Sequence, residues 1–209
     1  WIAVITGTGE RAFCAGSDLK YMSATGDGYI PDKGFAGLTN RLDLAKPVIA
    51  KVNGVAVGGG FETVLAADLV VAADHARFGF PEPRVGLTAI GGGGLHRLAR
   101  QIPLKQAMHL LLTGRILEAE EALAMGLINE VVPTDQLTTA TDQLVASILE
   151  GAPLAVRATK QAATDGLAMT LAEAMNARHP AIEIMEASAD AREGPIAFAE
   201  KRKPNWTGT

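Results

Sequence analysis

Apolar residues in the first hundred positions come in short continuous runs rather than in alternation. Residues 2–6 and 47–52 are two such runs, rich in β-branched side chains, the first ended by Gly7-Thr8-Gly9 and the second by Asn53-Gly54. Runs of this length closed by turn residues predict strands, and the missing polar alternation predicts burial on both faces of a sheet. Between them Phe35, Leu38 and Leu42 fall at helical spacing, while residues 22–34, rich in Gly, Asp, Ser and Thr, read as a mobile surface loop. A further run at 55–57 leads through Gly58-Gly59-Gly60 into a helix expected over 61–67 and a third strand over 68–73. Strands alternating with helices predict an α/β chain with a parallel or mixed sheet.

From Pro103 the pattern turns helical, at 104–112, 119–125, 135–150, 154–164 and 171–189, with Gly114, Gly126, Pro133, Gly151-Ala152-Pro153 and Gly166 as breaks. The expectation is a core over 1–102 and a helical region over 103–209. The helices are too amphipathic to leave their apolar faces uncovered, so position 103 is at most a subdomain boundary. No repeat of clear period and no low-complexity tract is visible.

Composition narrows the function classes. With 209 residues, 48% hydrophobic and 20% charged, the chain suits one ordinary globular domain. Nineteen basic against 23 acidic residues give a net charge of −4, so there is no broad positive field to hold nucleic acid or anionic lipid, and neither is expected as a partner. Cys14 is the only cysteine, and no CxxC or HExxH spacing occurs; no metal site is expected, and a reducing, cytoplasmic setting is the default. No apolar run approaches the roughly 18 residues that span a bilayer. Trp1 opens the chain inside an apolar run, so upstream sequence is expected to have been lost.

Five segments could carry chemistry. Gly7-Thr8-Gly9-Glu10-Arg11-Ala12 superficially matches the dinucleotide-binding fingerprint, but Gly16 interrupts the helix that the fingerprint requires and no acid ends a second strand at the right distance, so a plain strand-to-loop turn is the better reading. In Ala12-Phe13-Cys14-Ala15-Gly16-Ser17-Asp18-Leu19-Lys20, small residues precede a helix start at Ser17-Asp18. Reachable backbone N–H groups there suit a ligand carbonyl, although Ser17 or Asp18 could simply cap the helix. The three glycines 58–60 fit a backbone that must approach a ligand closely, with Glu62 in the first turn of the following helix. Glu82, bracketed by Pro81 and Pro83 and near Phe78 and Phe80, is a carboxylate on a rigid, partly desolvated turn, as a general acid near neutral pH requires. Glycines 91–94 form another run before a helix and a candidate phosphate or thioester cradle, without the Lys-Ser/Thr ending of a P-loop. The four histidines, His75, His96, His109 and His179, show no ligand or triad spacing, and Arg97 with Arg100 reads as a helix face.

Three of these stretches, AFCAGSDL, NGVAVGGGFE and FGFPEPRVGL, together with the C-terminal EGPIAFAEKRKPNW, resemble the enoyl-CoA hydratase/isomerase family, the crotonases, over essentially the whole chain and in the family's order. The resemblance implies a crotonase-like spiral of ββα units, with a helical C-terminal region that mediates trimerisation into a homotrimer or a dimer of trimers. It implies an acyl-CoA thioester substrate, so that coenzyme A arrives as part of the substrate and no separate cofactor is needed. An oxyanion hole maps onto the N–H groups of Ser17 and Gly59, and the two family carboxylates onto Glu62 and Glu82. Substrate and CoA contacts carry over to Ala15, Ser17, Asp18, Leu19 and Lys20, to Gly58 and Gly59, and to Pro81, Glu82, Leu87 and Gly91. Lys201-Arg202-Lys203 is a further CoA-phosphate candidate or a solvated basic tail.

Keeping both glutamates is what the hydratases look like, because adding water to a 2-enoyl-CoA needs two acid/base groups. Residues 34–39 and 110–114 are similar to the carnitinyl-CoA dehydratase branch, while enoyl-CoA isomerase, acyl-CoA hydrolase and a catalytically silent RNA-binding or assembly relative remain alternatives. Three departures stand out. Ser17 occupies a position that commonly holds Ala; residues 86–97 lack the usual proline near Ala89 and run one residue longer, so the acyl pocket floor is expected to differ; and the family's first strands are absent.

Overall fold

The apolar runs at 47–52, 55–57 and 68–73 become inner strands of two four-stranded sheets in a computed structural model that describes residues 1–209, whereas the run at 2–6 becomes a largely exposed edge strand rather than one buried on both faces. The first sheet has the order β1-β3-β5-β8, where β1 is Ala3–Thr6, β3 Val48–Val52, β5 Leu69–Ala73 and β8 Glu130–Val132. β3 and β5 run parallel, with Ile49 opposite Leu69 and Val52 opposite Ala72, and β5 pairs in parallel with β8. Almost every residue of β3 and β5 is buried, which is why their sequences do not alternate. The second sheet has the order β2-β4-β6-β7: β2 (Ala12–Cys14), β4 (Val55–Val57) and β6 (Arg77–Gly79) are parallel, and β7 (Ile116–Glu118) closes it antiparallel to β6.

Each turn of chain gives one strand to each sheet and then a helix: β1-β2 before α1 (Leu19–Thr25), β3-β4 before α2 (Gly59–Ala66), β5-β6 before α3 (Gly94–Gln101). This is the ββα succession that the resemblance implies. The parallel or mixed sheet expected from the strand pattern is therefore two sheets, because the turn at Asn53-Gly54 passes the chain from one to the other. Asn53 fixes that crossing: its side chain accepts from Gly7 N at 3.0 Å and donates to the carbonyls of Gly9 and Ala12 at 2.6 and 3.2 Å. Position 54 must be glycine, since a Cβ would stand 2.5 Å from the Arg11 carbonyl oxygen.

The remaining helices are α4 (Leu104–Thr113), α5 (Ala119–Ala124), α6 (Leu137–Leu149), α7 (Pro153–Gly166), α8 (Leu171–Asn176), α9 (Pro180–Glu186) and α10 (Ala189–Ala199). None is long and apolar enough to cross a membrane. The chain divides into two compact units, one of Val4–Leu42 with Val48–Thr141 and one of Trp1–Ala3, Asp43–Pro47 and Asp142–Thr209. The switch to helices at Pro103 falls inside the larger unit. Its core centres on Phe61, Phe78 and Phe80, all essentially solvent-free, with ring centroids 5.7 Å (Phe61–Phe78) and 4.8 Å (Phe61–Phe80) apart. Apolar side chains of β3 to β6 and of α3 and α4 pack into the same cluster, and truncating such a buried ring costs about 3–5 kcal/mol.

In the smaller unit, the last residues of the chain are clasped. Buried Asp190 accepts from Thr207 N (2.8 Å), Thr207 Oγ1 (3.0 Å) and Gly208 N (2.9 Å), and Trp206 Nε1 donates to the Glu150 carbonyl at 2.8 Å. Glu193 accepts from both terminal nitrogens of Arg202 (2.6 and 2.9 Å) and from Asn205 N (2.7 Å), and these donors hold its carboxyl down at about 2.

Several elements depart from the sequence expectation. The single helix expected over 171–189 is two, because Pro180 opens α9 and holds His179 in extended backbone at φ −115°, ψ 94°. α10 runs through Gly194-Pro195, a pair that conceals it in the sequence. Residues 22–25 belong to α1 rather than to a loop, and Phe35, Leu38 and Leu42 form no helix. Only a 3₁₀ turn at Phe35–Gly37 exists there, between positive-φ Gly34 and Gly37, and Leu42 is 86% exposed.

Candidate active site

The first wall of the site follows from how α1 starts. Asp18 caps it, its Oδ1 accepting from Lys20 N at 2.9 Å and Tyr21 N at 3.0 Å. The capping carboxylate is thus turned to the helix while Ser17, one residue earlier, faces a cavity. Gly16 lies at φ +81°, and a Cβ there would stand 2.6 Å from the backbone nitrogen of Gly59. The segment 15–17 therefore runs directly against the first turn of α2, a closeness that only glycine allows. The approach to α2 has the same demand: Gly58 sits at φ 56°, ψ −131°, and Gly59 is the first helical residue. No backbone hydrogen bond of the fold uses the N–H of Ser17 or of Gly59, so both donors stay available at one side of the cavity.

Glu62 is 2% exposed and lies in the first turn of α2. Its Oε1 accepts from Gly92 N at 2.9 Å and Gly94 N at 2.8 Å, charge-assisted bonds that fix the carboxylate in one orientation. The glycine run 91–94 thus cradles a carboxylate of the protein itself, which replaces the phosphate or thioester cradle expected from the sequence. Glycine is needed at both donors, since a Cβ on Gly92 would meet Glu62 Cβ, and one on Gly94 Glu62 Cγ, at 2.9 Å.

Glu82 reaches the cavity from a 3₁₀ turn, Glu82–Val85, introduced by Pro81. Its Oε1 would be 3.2 Å from a Cβ on Gly58, and its Oε2 is buried without a hydrogen-bond partner. Burial pushes its carboxyl above the usual range, its own backbone N–H pulls back, and the nearby charge of Glu62 adds to the rise. Two carboxylates thus share one site in opposite environments: Glu62 is held by two amides, and Glu82 is desolvated and biased toward keeping its proton.

The cavity between these walls has a volume of about 190 Å³. Of the residues expected at the site, Ala15, Ser17 and Leu19 line it from the first motif, Gly58, Gly59 and Glu62 from the second, and Pro81, Glu82, Leu87 and Gly91 from the remaining side. Asp18 and Lys20 do not; the first is spent as a cap and the second is exposed on α1. Arg202 is committed to Glu193 and Glu200. Sequence reasoning missed the apolar wall of Met22, Ile30, Phe35 and Ile90. The faint signal for it is Gly91, whose missing side chain is what leaves room for Ile30 Cδ1 and the Phe35 ring. It also missed Arg97, which is half-buried and turned inward rather than lying on a helix face.

A sequence profile of the family described as enoyl-CoA hydratase/isomerase matches residues 2–209. The carnitinyl-CoA dehydratase of Salmonella arizonae is 45% identical over 219 residues, covering 99% of this chain and 81% of that protein, and its counterpart from Proteus mirabilis is 43% identical with the same coverage. Among solved structures, an enoyl-CoA hydratase from Mycobacterium tuberculosis superposes with a TM-score of 0.91 at 43% identity, covering all of this chain and 81% of that one.

Proposed function

Because this chain belongs to the enoyl-CoA hydratase/isomerase family, we propose that it is an enzyme adding water reversibly across the double bond of a 2-enoyl-CoA thioester. The observation that carries this reading is the pair Glu62 and Glu82, both facing one cavity beside two unspent backbone donors. The thioester oxygen accepts from Ser17 N–H and Gly59 N–H, which stabilise the negative charge that grows there. Glu62, anchored through Oε1, takes a proton from water at its other oxygen, and the hydroxyl adds to the β-carbon. The double-bond electrons move toward the thioester, and the α-carbon then takes the proton of Glu82. The cycle closes when the proton left on Glu62 returns to Glu82 through the site or solvent; dehydration is the reverse. No step calls on a separate cofactor.

The apolar wall of Met22, Ile30, Phe35 and Ile90 favours an uncharged acyl chain. The identity to proteins named carnitinyl-CoA dehydratase favours a second reading in which the substrate is crotonobetainyl-CoA. Incubation with crotonyl-CoA and with crotonobetainyl-CoA, followed by loss of the conjugated thioester absorbance, separates the two. Glu82→Gln should lower the rate by about 10²–10⁴ while CoA binding persists. No loss with either substrate, in a protein that binds CoA, would overturn the hydratase reading in favour of isomerisation or hydrolysis.

A further inference from the structure

Arg97 is absent from the mechanism above, yet its guanidinium joins two segments that carry parts of the cavity wall, the turn that bears Phe35 and the glycine run that includes Gly91. One terminal nitrogen donates to the carbonyl of Thr39 at 2.7 Å, and Nε donates to the carbonyl of Gly92 at 3.3 Å. On the first side, Thr39 is buried and its Oγ1 accepts from Phe35 N at 2.9 Å, holding a turn in which Ala36 is forced to φ 54°. A non-glycine residue in that region is strained and persists only where its surroundings over-determine it. The ring of Phe35 carried by that turn lies 3.0 Å from where a Cβ on Gly59 would be and 3.3 Å from one on Gly91. On the second side, the carbonyl that Arg97 holds is that of Gly92, the residue whose N–H donates to Glu62. Burial lowers the guanidinium from its ordinary range and the charge of Glu62 opposes that fall, so the two groups also sense each other electrostatically.

We propose that Arg97 is a positioning residue that sets the Phe35 wall and the Glu62 carboxylate together, by forking between the carbonyls of Thr39 and Gly92. This rests on the hydratase reading, since it assigns Arg97 a part in how Glu62 meets water. A planar fork can satisfy both carbonyls at once, whereas a lysine ammonium on a flexible stem reaches one at a time. The placement of Glu62 then depends on a contact with a turn 58 residues earlier in the chain than Arg97.

The test is steady-state kinetics on crotonyl-CoA for Arg97→Gln and Arg97→Lys, each in the native background and with Glu62→Gln. Arg97→Gln should lower kcat by about 30–100-fold, the scale of loss for a catalytic group displaced by an ångström, with KM within about threefold. Arg97→Lys should recover part of that loss. With Glu62→Gln already present, Arg97→Gln should cost less than about threefold more, because a group acting through Glu62 has nothing left to position. A full multiplicative loss in that background, or unchanged kcat in Arg97→Gln, overturns the assignment. If Arg97→Gln loses its cooperative melt, Arg97→Lys carries the test: a kcat loss near tenfold at unchanged CoA affinity supports the assignment, and native kcat overturns it. A wild-type protein that does not hydrate overturns the hydratase reading and this inference with it. A hydrating wild type with indifferent Arg97 variants overturns this inference alone.

Discussion

Residues 58–60 and 91–94 look alike in sequence, each a run of glycines leading into a helix, yet they spend their amides differently. The first run leaves the N–H of Gly59 unspent toward the cavity, beside Ser17. The second turns the N–H groups of Gly92 and Gly94 onto Glu62. In the proposed reaction the first receives the thioester and the second holds the side chain that activates water. A glycine run thus announces a close backbone approach; what it approaches is decided by the partner that packs opposite, and for the second run that partner lies 30 residues earlier in the chain.

Substitutions can break this contrast from either side. Of the two glycine substitutions the larger effect is expected from Gly16→Ala, which places a methyl 2.6 Å from Gly59 N at a positive φ. Loss of one oxyanion donor should reduce turnover of crotonyl-CoA by about 10²–10³-fold, and a variant that melts cooperatively yet turns over normally would remove Gly59 N–H from the reaction. Gly92→Ala, which crowds Glu62 rather than the carbonyl site, should cost about 10²-fold in kcat, with CoA affinity by calorimetry unchanged. A selective loss of affinity would make the second run a ligand cradle after all.

Glu82→Gln should separate stability from activity. The folded protein holds this proton to a higher pH than the unfolded chain does, so native stability falls as pH rises above about 4.5, until the raised folded value is passed. The amide variant has no charge to desolvate. Melting curves between pH 4.5 and 8 should therefore show a smaller decline for Glu82→Gln than for wild type, and parallel declines would remove Glu82 as the source. The smallest effect is expected from Ser17→Ala, within about threefold of native turnover, because only its backbone N–H is assigned to the carbonyl. A larger drop would give the hydroxyl a part.

Legibility from sequence followed the range of the interactions. β3 and β5 were readable because burial on both faces makes their runs apolar regardless of neighbours. Glu82 stood out through its flanking prolines and Glu62 through its glycines, both local signals. β7 and β8, three residues each, are strands only because β6 and β5 offer them an edge, and nothing in Ile-Leu-Glu or Glu-Val-Val specifies that. The break at Pro180 was local and readable; the amphipathic pattern on either side outweighed it. Arg97 could not be read at all, since its i+3 neighbour Arg100 makes it look like a solvated face, and its carbonyl partner Thr39 is far off in sequence.

The grip of Gly92 and Gly94 on Glu62 also supplies a built-in spectroscopic probe. Two amide protons aimed at one carboxylate oxygen at 2.9 and 2.8 Å register its state directly: loss of negative charge or rotation of the carboxyl moves both resonances together. Glycine amides occupy a sparsely populated corner of a nitrogen–proton correlation spectrum, so in isotope-labelled protein this pair can report on the buried glutamate during turnover without any label placed in the site.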